Sequence, residues 1–151
     1  MSEKITTGLA NLIAETLRTS FLNGVAAVYD GTQPASSELA EVGVLLGYIT
    51  KDGGAFVAGE ATNGLHWDAA VNGACPKPTD EEWAIIPIAS GTARYIRLYD
   101  NTMTTGASTT ALRMDMSCGI TSGDALWAPT NYLTEGVKQA AKSFSLKAPL
   151  A

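Results

Sequence analysis

The chain has 151 residues, 46% of them hydrophobic and 17% charged, and a formal net charge of −5. That length suits one domain around a single core, and the apolar share excludes a disordered chain. The acidic balance, with Lys and Arg scattered rather than striped, argues against a nucleic-acid partner.

No apolar run approaches the roughly 18 residues that a membrane span needs, so no membrane partner is expected. The opening "MSEKITTGLANLIAETL" has no long apolar core and no small-residue cleavage site, and it reads as mature protein. Leu9, Leu12, Ile13, Leu17 and Phe21 recur at helical spacing. They predict one amphipathic helix, capped by Thr6 or Thr7 and ended by Gly24 after Asn23. Two roles stay open for it: cover for the domain's own sheet, or an arm that docks on a neighbouring subunit. Residues 1–24 are taken as this helical arm and 25–151 as the rest of a single domain.

After Gly24 the period changes to two. "VAAVY" (25–29) is a strand turned by Asp30-Gly31, and residues 32–41 are loop around Pro34. "VLLGYI" (44–49) is a buried strand that turns at Asp52-Gly53-Gly54. "AFVAG" and "LHWDAAV" are shorter runs, closed by Asn63-Gly64 and Asn72-Gly73. "EEWAIIPIA" reads as a strand made an edge, or bulged, by Pro87, which cannot donate to a ladder. In "TARYIRLYD" Tyr95, Arg97 and Tyr99 share one face, and Ile96 and Leu98 the other. In "ALRMDMSCG" Leu112, Met114, Met116 and Cys118 point inward, while Arg113, Asp115 and Ser117 point out. Near the C-terminus Val137, Ala140, Ala141 and Phe144 fit a helix face, and Lys142, Phe144 and Leu146 a strand; a strand is expected at least from Ala141 on, ended by Pro149. The expected fold is mainly β: an antiparallel, jelly-roll-like sandwich of about eight strands with one N-terminal helix, from turn signals spaced roughly 8–12 residues apart.

Catalytic signals are thin. His66 is the only histidine. Asp68 lies two residues on, where it would orient an imidazole base. No framed nucleophile accompanies the pair, so a strand histidine with a hydrogen-bonded neighbour is expected. Cys75, Cys118 and His66 match no zinc spacing. Cys118 reads as core. Cys75, beside Pro76, reads as an exposed loop thiol and a candidate for an intermolecular bond. Asp80-Glu81-Glu82 reads as a solvated loop face or as a charge cluster at the start of a short helical turn, ahead of a cation site. Trp67, Trp83 and Trp127 read as core or subunit contacts before a sugar groove. No enzyme activity, cofactor or metal is expected.

One set of motifs points further. Gly31-Thr32-Gln33-Pro34-Ala35 is followed by Gly43-Val44-Leu45-Leu46, then by Ala89-Ser90-Gly91-Thr92-Ala93 leading into Arg94-Tyr95-Ile96-Arg97. Tyr99-Asp100-Asn101 and Asp115-Met116-Ser117-Cys118-Gly119 complete the series. In this order and spacing, across most of the chain, they resemble small structural proteins of tailed bacteriophages and prophages. The acidic insert "CPKPTDEEW" and the two cysteines depart from the simpler members. The resemblance implies a virion component without enzymatic activity, most simply a head decoration or cement protein bound to the major capsid protein. Neck, tail and fibre-base proteins, or a receptor- or carbohydrate-binding fibre module, are the alternatives. A homo-oligomer, dimer or trimer, is expected on the particle, with Leu9, Leu12, Leu17, Phe21 or the Pro87 strand in the subunit contact. The "GTQPA" loop is read first as a shaped crossing between strands, and second as a contact.

Overall fold

The computed structural model describes residues 4–120, 125–127 and 130–147. One helix, α1 (Thr7–Ser20), precedes eleven strands. They are β1 (Val25–Asp30), β2 (Val44–Lys51), β3 (Ala74–Cys75), β4 (Trp83–Ile85), β5 (Gly91–Thr92), β6 (Tyr95–Tyr99), β7 (Arg113–Gly119), β8 (Ala125–Trp127), β9 (Tyr132–Leu133), β10 (Gln139–Ser143) and β11 (Leu146–Lys147).

Thr6 caps the helix: its hydroxyl accepts the Leu9 N–H at 3.2 Å. At the other end the Phe21 N–H donates to the Leu17 carbonyl, and Asn23 turns the backbone away with φ 58°. The helix buries Ala14 and Phe21 and packs Leu17 against the core. It lies on β3 and β11, so it covers its own domain. The predicted stripe is therefore split. Leu17 and Phe21 face in, whereas Leu9 (45% exposed) and Leu12 (64%) face solvent. The small residues Ala10 and Ala14 sit on the inner face, Ala14 buried and Ala10 close to Gly73.

Six strands make a curled antiparallel sheet ordered β10-β4-β2-β1-β6-β7. β8 closes it, antiparallel to β10 and parallel to β7. The mainly β class and the N-terminal helix hold. The pairing forms one ring, in contrast to the expected sandwich of two sheets. A register shift between Val28 and Tyr29, opposite Leu45 and Gly47, bends the sheet near its middle. Alternation along β1 buries both of its faces. Ala26 and Val28 point into the main core, while Val25, Ala27 and Tyr29 feed a second apolar cluster on the opposite face with Tyr95 and Tyr99. A strand buried on both sides needs cover outside the ring, and loops supply it.

Several segments depart from the sequence reading. "AFVAG" forms no strand, and "LHWDAAV" contributes only the bridges Gly24–Leu65 and Val71–Ala74. Pro87 lies past the end of β4 and is buried. β4 pairs on both sides, with β2 and β10, so it is not an edge. Pro87 thus ends the ladder instead of exposing it, and its carbonyl accepts the Gly136 N–H at 2.9 Å. Leu112 precedes β7 and is exposed, while Met114, Met116 and Cys118 keep the inward face. The C-terminal strand, expected at least from Ala141 on, runs from Gln139 to Ser143 and breaks before Leu146. The Pro149 stop lies outside the described residues.

Candidate functional site: a strap braced by buried charge

The loop that begins with "GTQPA" spans residues 31–43 between β1 and β2 and works as a strap. Its two ends are pinched together by the motif glycines. A Cβ on Gly31 would sit 2.8 Å from Gly43 Cα, and Gly43 itself has φ 89°. Beside this pinch, the Asp30 carboxylate accepts the Thr92 N–H at 3.1 Å and the Arg94 Nε–H at 2.9 Å. That joins the start of the strap to the "ASGTA" segment.

The strap crosses the outer face of β6 and β7, where two arginines wait for it. Arg97 has no exposed side-chain surface. Its Nε and Nη2 donate to the two oxygens of Asp115 at 2.6 and 2.9 Å, and its Nη1 donates to the Leu39 carbonyl at 2.8 Å. Arg113 donates through Nε to the Ser37 carbonyl at 2.6 Å and through Nη2 to the Leu39 carbonyl at 3.3 Å. Glu41 turns inward. It accepts the Tyr99 hydroxyl at 2.6 Å and the Gly106 N–H at 2.9 Å, and lies 3.3 Å from Arg97 Nη1. Tyr95 finishes the brace, donating its hydroxyl to the Val42 carbonyl at 2.7 Å and accepting the Val42 N–H at 3.1 Å.

The electrostatics follow from this packing. Burial alone would raise the Glu41 pKa. The Tyr99 hydroxyl, the Gly106 N–H and the positive charge of Arg97 outweigh burial and hold it at about 2. Asp115 pushes the Arg97 pKa up through its hydrogen bonds. Burial, then the Glu41 hydrogen bond, pushes Tyr99 up. Burial lifts Tyr29, stacked 5.0 Å from Tyr95, to about 12. Each charged group here is satisfied by a protein partner, so the cluster is a brace and not an acid–base pair. The alternation of Tyr95, Arg97 and Tyr99 was legible in the sequence. That their face is buried was not, because its cover comes from a loop some sixty positions earlier.

The strap's outer side is different. Leu39 and Val42 of the strap, and Val44 at the start of β2, are 50, 51 and 56% exposed. The strap therefore turns the Ser37, Leu39 and Val42 carbonyls and the Glu41 carboxylate inward, while Leu39 and Val42 face outward on a surface shared with the polar Thr32, Gln33, Ser36 and Glu38.

The other sequence candidates are placed as follows. His66 pairs with Glu81 instead of Asp68: Nδ1 is 2.9 Å from Glu81 Oε2, and the His66 N–H donates to Oε1 at 3.2 Å. The Trp83 Nε1–H donates to the same oxygen at 2.8 Å. Glu81 is thus buried, not solvated. It pins the loop at 65–68 to β4. The missed signal was a carboxylate two residues before a tryptophan, close enough to take its indole N–H. Cys75 is buried in β3, its thiol donating to the Ala14 carbonyl at 3.4 Å, and burial pushes its pKa up. This removes it as an intermolecular thiol, because the helix covers it. Cys118 is half-buried on the core. Trp67, Trp83 and Trp127 are all buried, and Trp67 and Trp83 meet edge to face at 5.4 Å. Among the described residues, the only strongly exposed aromatic is Tyr132, and no group of three or more His, Cys, Asp or Glu could hold a metal ion. Among them too, no helix is long and apolar enough to cross a membrane.

No protein-family model, curated protein or solved structure matches the chain.

Proposed function

We propose that this chain is a non-enzymatic structural component of a phage particle, a decoration or cement protein that binds the head lattice as a dimer or trimer. The resemblance of its ordered motifs supplies the class. The observation that carries the contact role is the strap, braced from within by buried charge and presenting Leu39 and Val42, with Val44 of β2 beside them, as exposed aliphatic side chains. A loop held this firmly loses little conformational freedom when a partner covers it, so more of the contact energy remains as affinity. The motif residues meet in one place. Asp30 touches Thr92 and Arg94, and Arg97 ties Asp115 to the strap. That convergence gives the shared motifs a common physical task, which is to build and hold the strap. A carbohydrate-binding module needs neighbouring exposed aromatics. The buried tryptophans here weigh against that alternative.

The test is biochemical. Particles of the encoding phage are purified through a density gradient, and their protein content is quantified by mass spectrometry. The protein should be present in many copies per particle, in a fixed ratio to the major capsid protein. If it stays in the soluble lysate and is absent from washed particles, the proposal fails.

A further inference from the structure

Three Asn-Gly dipeptides punctuate the chain, at Asn23, Asn63 and Asn72. All three asparagines have positive φ, at 58, 57 and 51°. They serve as turn residues. The same dipeptide carries a spontaneous chemistry, because glycine places no side chain in the way of its own backbone nitrogen. That nitrogen, on losing its proton, attacks the asparagine Cγ. A bond forms between the backbone nitrogen and Cγ, the bond from Cγ to Nδ2 breaks, and ammonia leaves. Water then opens the succinimide ring to aspartate or isoaspartate. The reaction needs water alone as co-reactant.

The three surroundings differ. The Asn23 side-chain oxygen is buried, and the Gly24 N–H donates to the Phe21 carbonyl at 2.9 Å. Gly24 is packed against the Tyr99 carbonyl. The Asn63 side-chain amide donates to the Ala55 carbonyl at 2.8 Å, and Gly64 is buried against the backbone of Asn23. Both carboxamides are therefore restrained, Asn23 by burial of its oxygen and Asn63 by its hydrogen bond and its packing on Gly54, and neither swings freely onto the following nitrogen. Asn72 is exposed, at the tip of the tight turn bridged by Val71 and Ala74. One hydrogen bond restrains its reaction: the Gly73 N–H donates to Asn11 Oδ1 on the helix at 2.8 Å. Ala10 packs close beneath, 3.1 Å from where a Gly73 Cβ would be.

We propose that Asn72 is the site at which this protein deamidates, and that Asn11 guards it by holding the attacking nitrogen. While the helix is docked, the Gly73 N–H is engaged and the turn is closed. Local opening of the helix frees both, so the rate at Asn72 reports how often the helix lifts. Isoaspartate would add a carbon to the backbone of a two-residue turn and disturb the Val71–Ala74 bridge that seats against Ala10.

The experiment ages the full-length protein at mildly alkaline pH and maps its peptides by mass spectrometry, alongside Asn11→Ala and Asn11→Asp. Circular dichroism checks that each variant is folded. Asn72 should convert several-fold faster than Asn23 and Asn63. Asn11→Ala should raise the Asn72 rate several-fold with the other two unchanged. Asn11→Asp, which keeps an acceptor for the Gly73 N–H, should stay near the parent rate. Faster conversion at Asn23 or Asn63, or none at Asn72, overturns the site. An Asn11→Ala rate equal to the parent's, or a rise at all three sites alike, overturns the guard.

Discussion

The strap side and the helix side of the barrel are fastened by different physics. Across β6 and β7 the strap is held by buried ions: Arg97, Asp115, Arg113 and Glu41 fix the carbonyls of Ser37 and Leu39. Across β3 and β11 the helix is held by packing of Ala14, Leu17 and Phe21, helped by single polar ties such as Glu15 to the Ala70 N–H at 2.6 Å. Buried ion pairs are unforgiving when one partner is removed, because the remaining charge has no water to return to. Packed apolar faces lose stability in proportion to what is deleted. The first arrangement gives a loop of one shape, suited to a contact surface. The second gives a cover whose residues share the core of the barrel itself.

That contrast can be broken most sharply at Arg97. Arg97→Ala leaves Asp115 buried without its cation and Glu41 with only Arg113, 3.7 Å away, and should cost about 3–5 kcal/mol. Urea unfolding measures it, and a loss below about 1 kcal/mol would mean that the brace is ornamental. Acid should act on the same network. Glu41 has its pKa lowered from 4.5 to about 2 in the folded state. Its contribution is complete above about pH 4.5 and is lost as pH falls toward 2. At about 1.4 kcal/mol per pKa unit, that loss is on the order of 3 kcal/mol at most. Hydrogen exchange at Gly106 and Val42 should accelerate over this window in the parent, and the Glu41→Gln protein should show no such step.

The helix side should respond more mildly. Leu17→Ala, at a partly buried position, should cost about 2 kcal/mol, at the low end for a core leucine. Thiol labelling follows the same cover: Cys75 should resist alkylation in the native protein and react on unfolding, while its accessibility rises when the helix is loosened. The smallest effect belongs to Leu12→Asp. On an exposed face it should change monomer stability by no more than about 0.5 kcal/mol. If the helix's outer face is a subunit contact, the same variant should lower self-association measured by sedimentation.

Much of this contrast was readable from residues, and the unread part has a physical reason. The clean alternation in β6 and β7, the Thr6 cap and the Asn-Gly and Asp-Gly turns are local signals, set by neighbours within a few positions. The helix stripe misled because apolar spacing reports amphipathicity and not which residues the fold will leave outside. Leu9 and Leu12 fit the pattern yet face solvent, while Ala10 and Ala14 take the inner face. Pro87 and Cys75 were misplaced for the same kind of reason: what lies over a loop depends on partners distant in sequence. The ring itself follows from closure through β8 and β10, three- and five-residue strands whose short runs carry little periodicity. The brace was half visible, as an arginine between two tyrosines. Of its two acids, Asp115 lay on the alternating face of β7, while Glu41 sat in a stretch that reads only as loop.

The central claim, that the strap is the contact by which this protein holds a phage head, is tested most directly by cryo-electron microscopy of the intact particle. The account predicts barrel-sized density repeated over the head lattice, with Leu39, Val42 and Val44 turned toward the capsid protein. Particles whose heads carry no such density, or on which the barrel sits with the strap facing solvent, would contradict it.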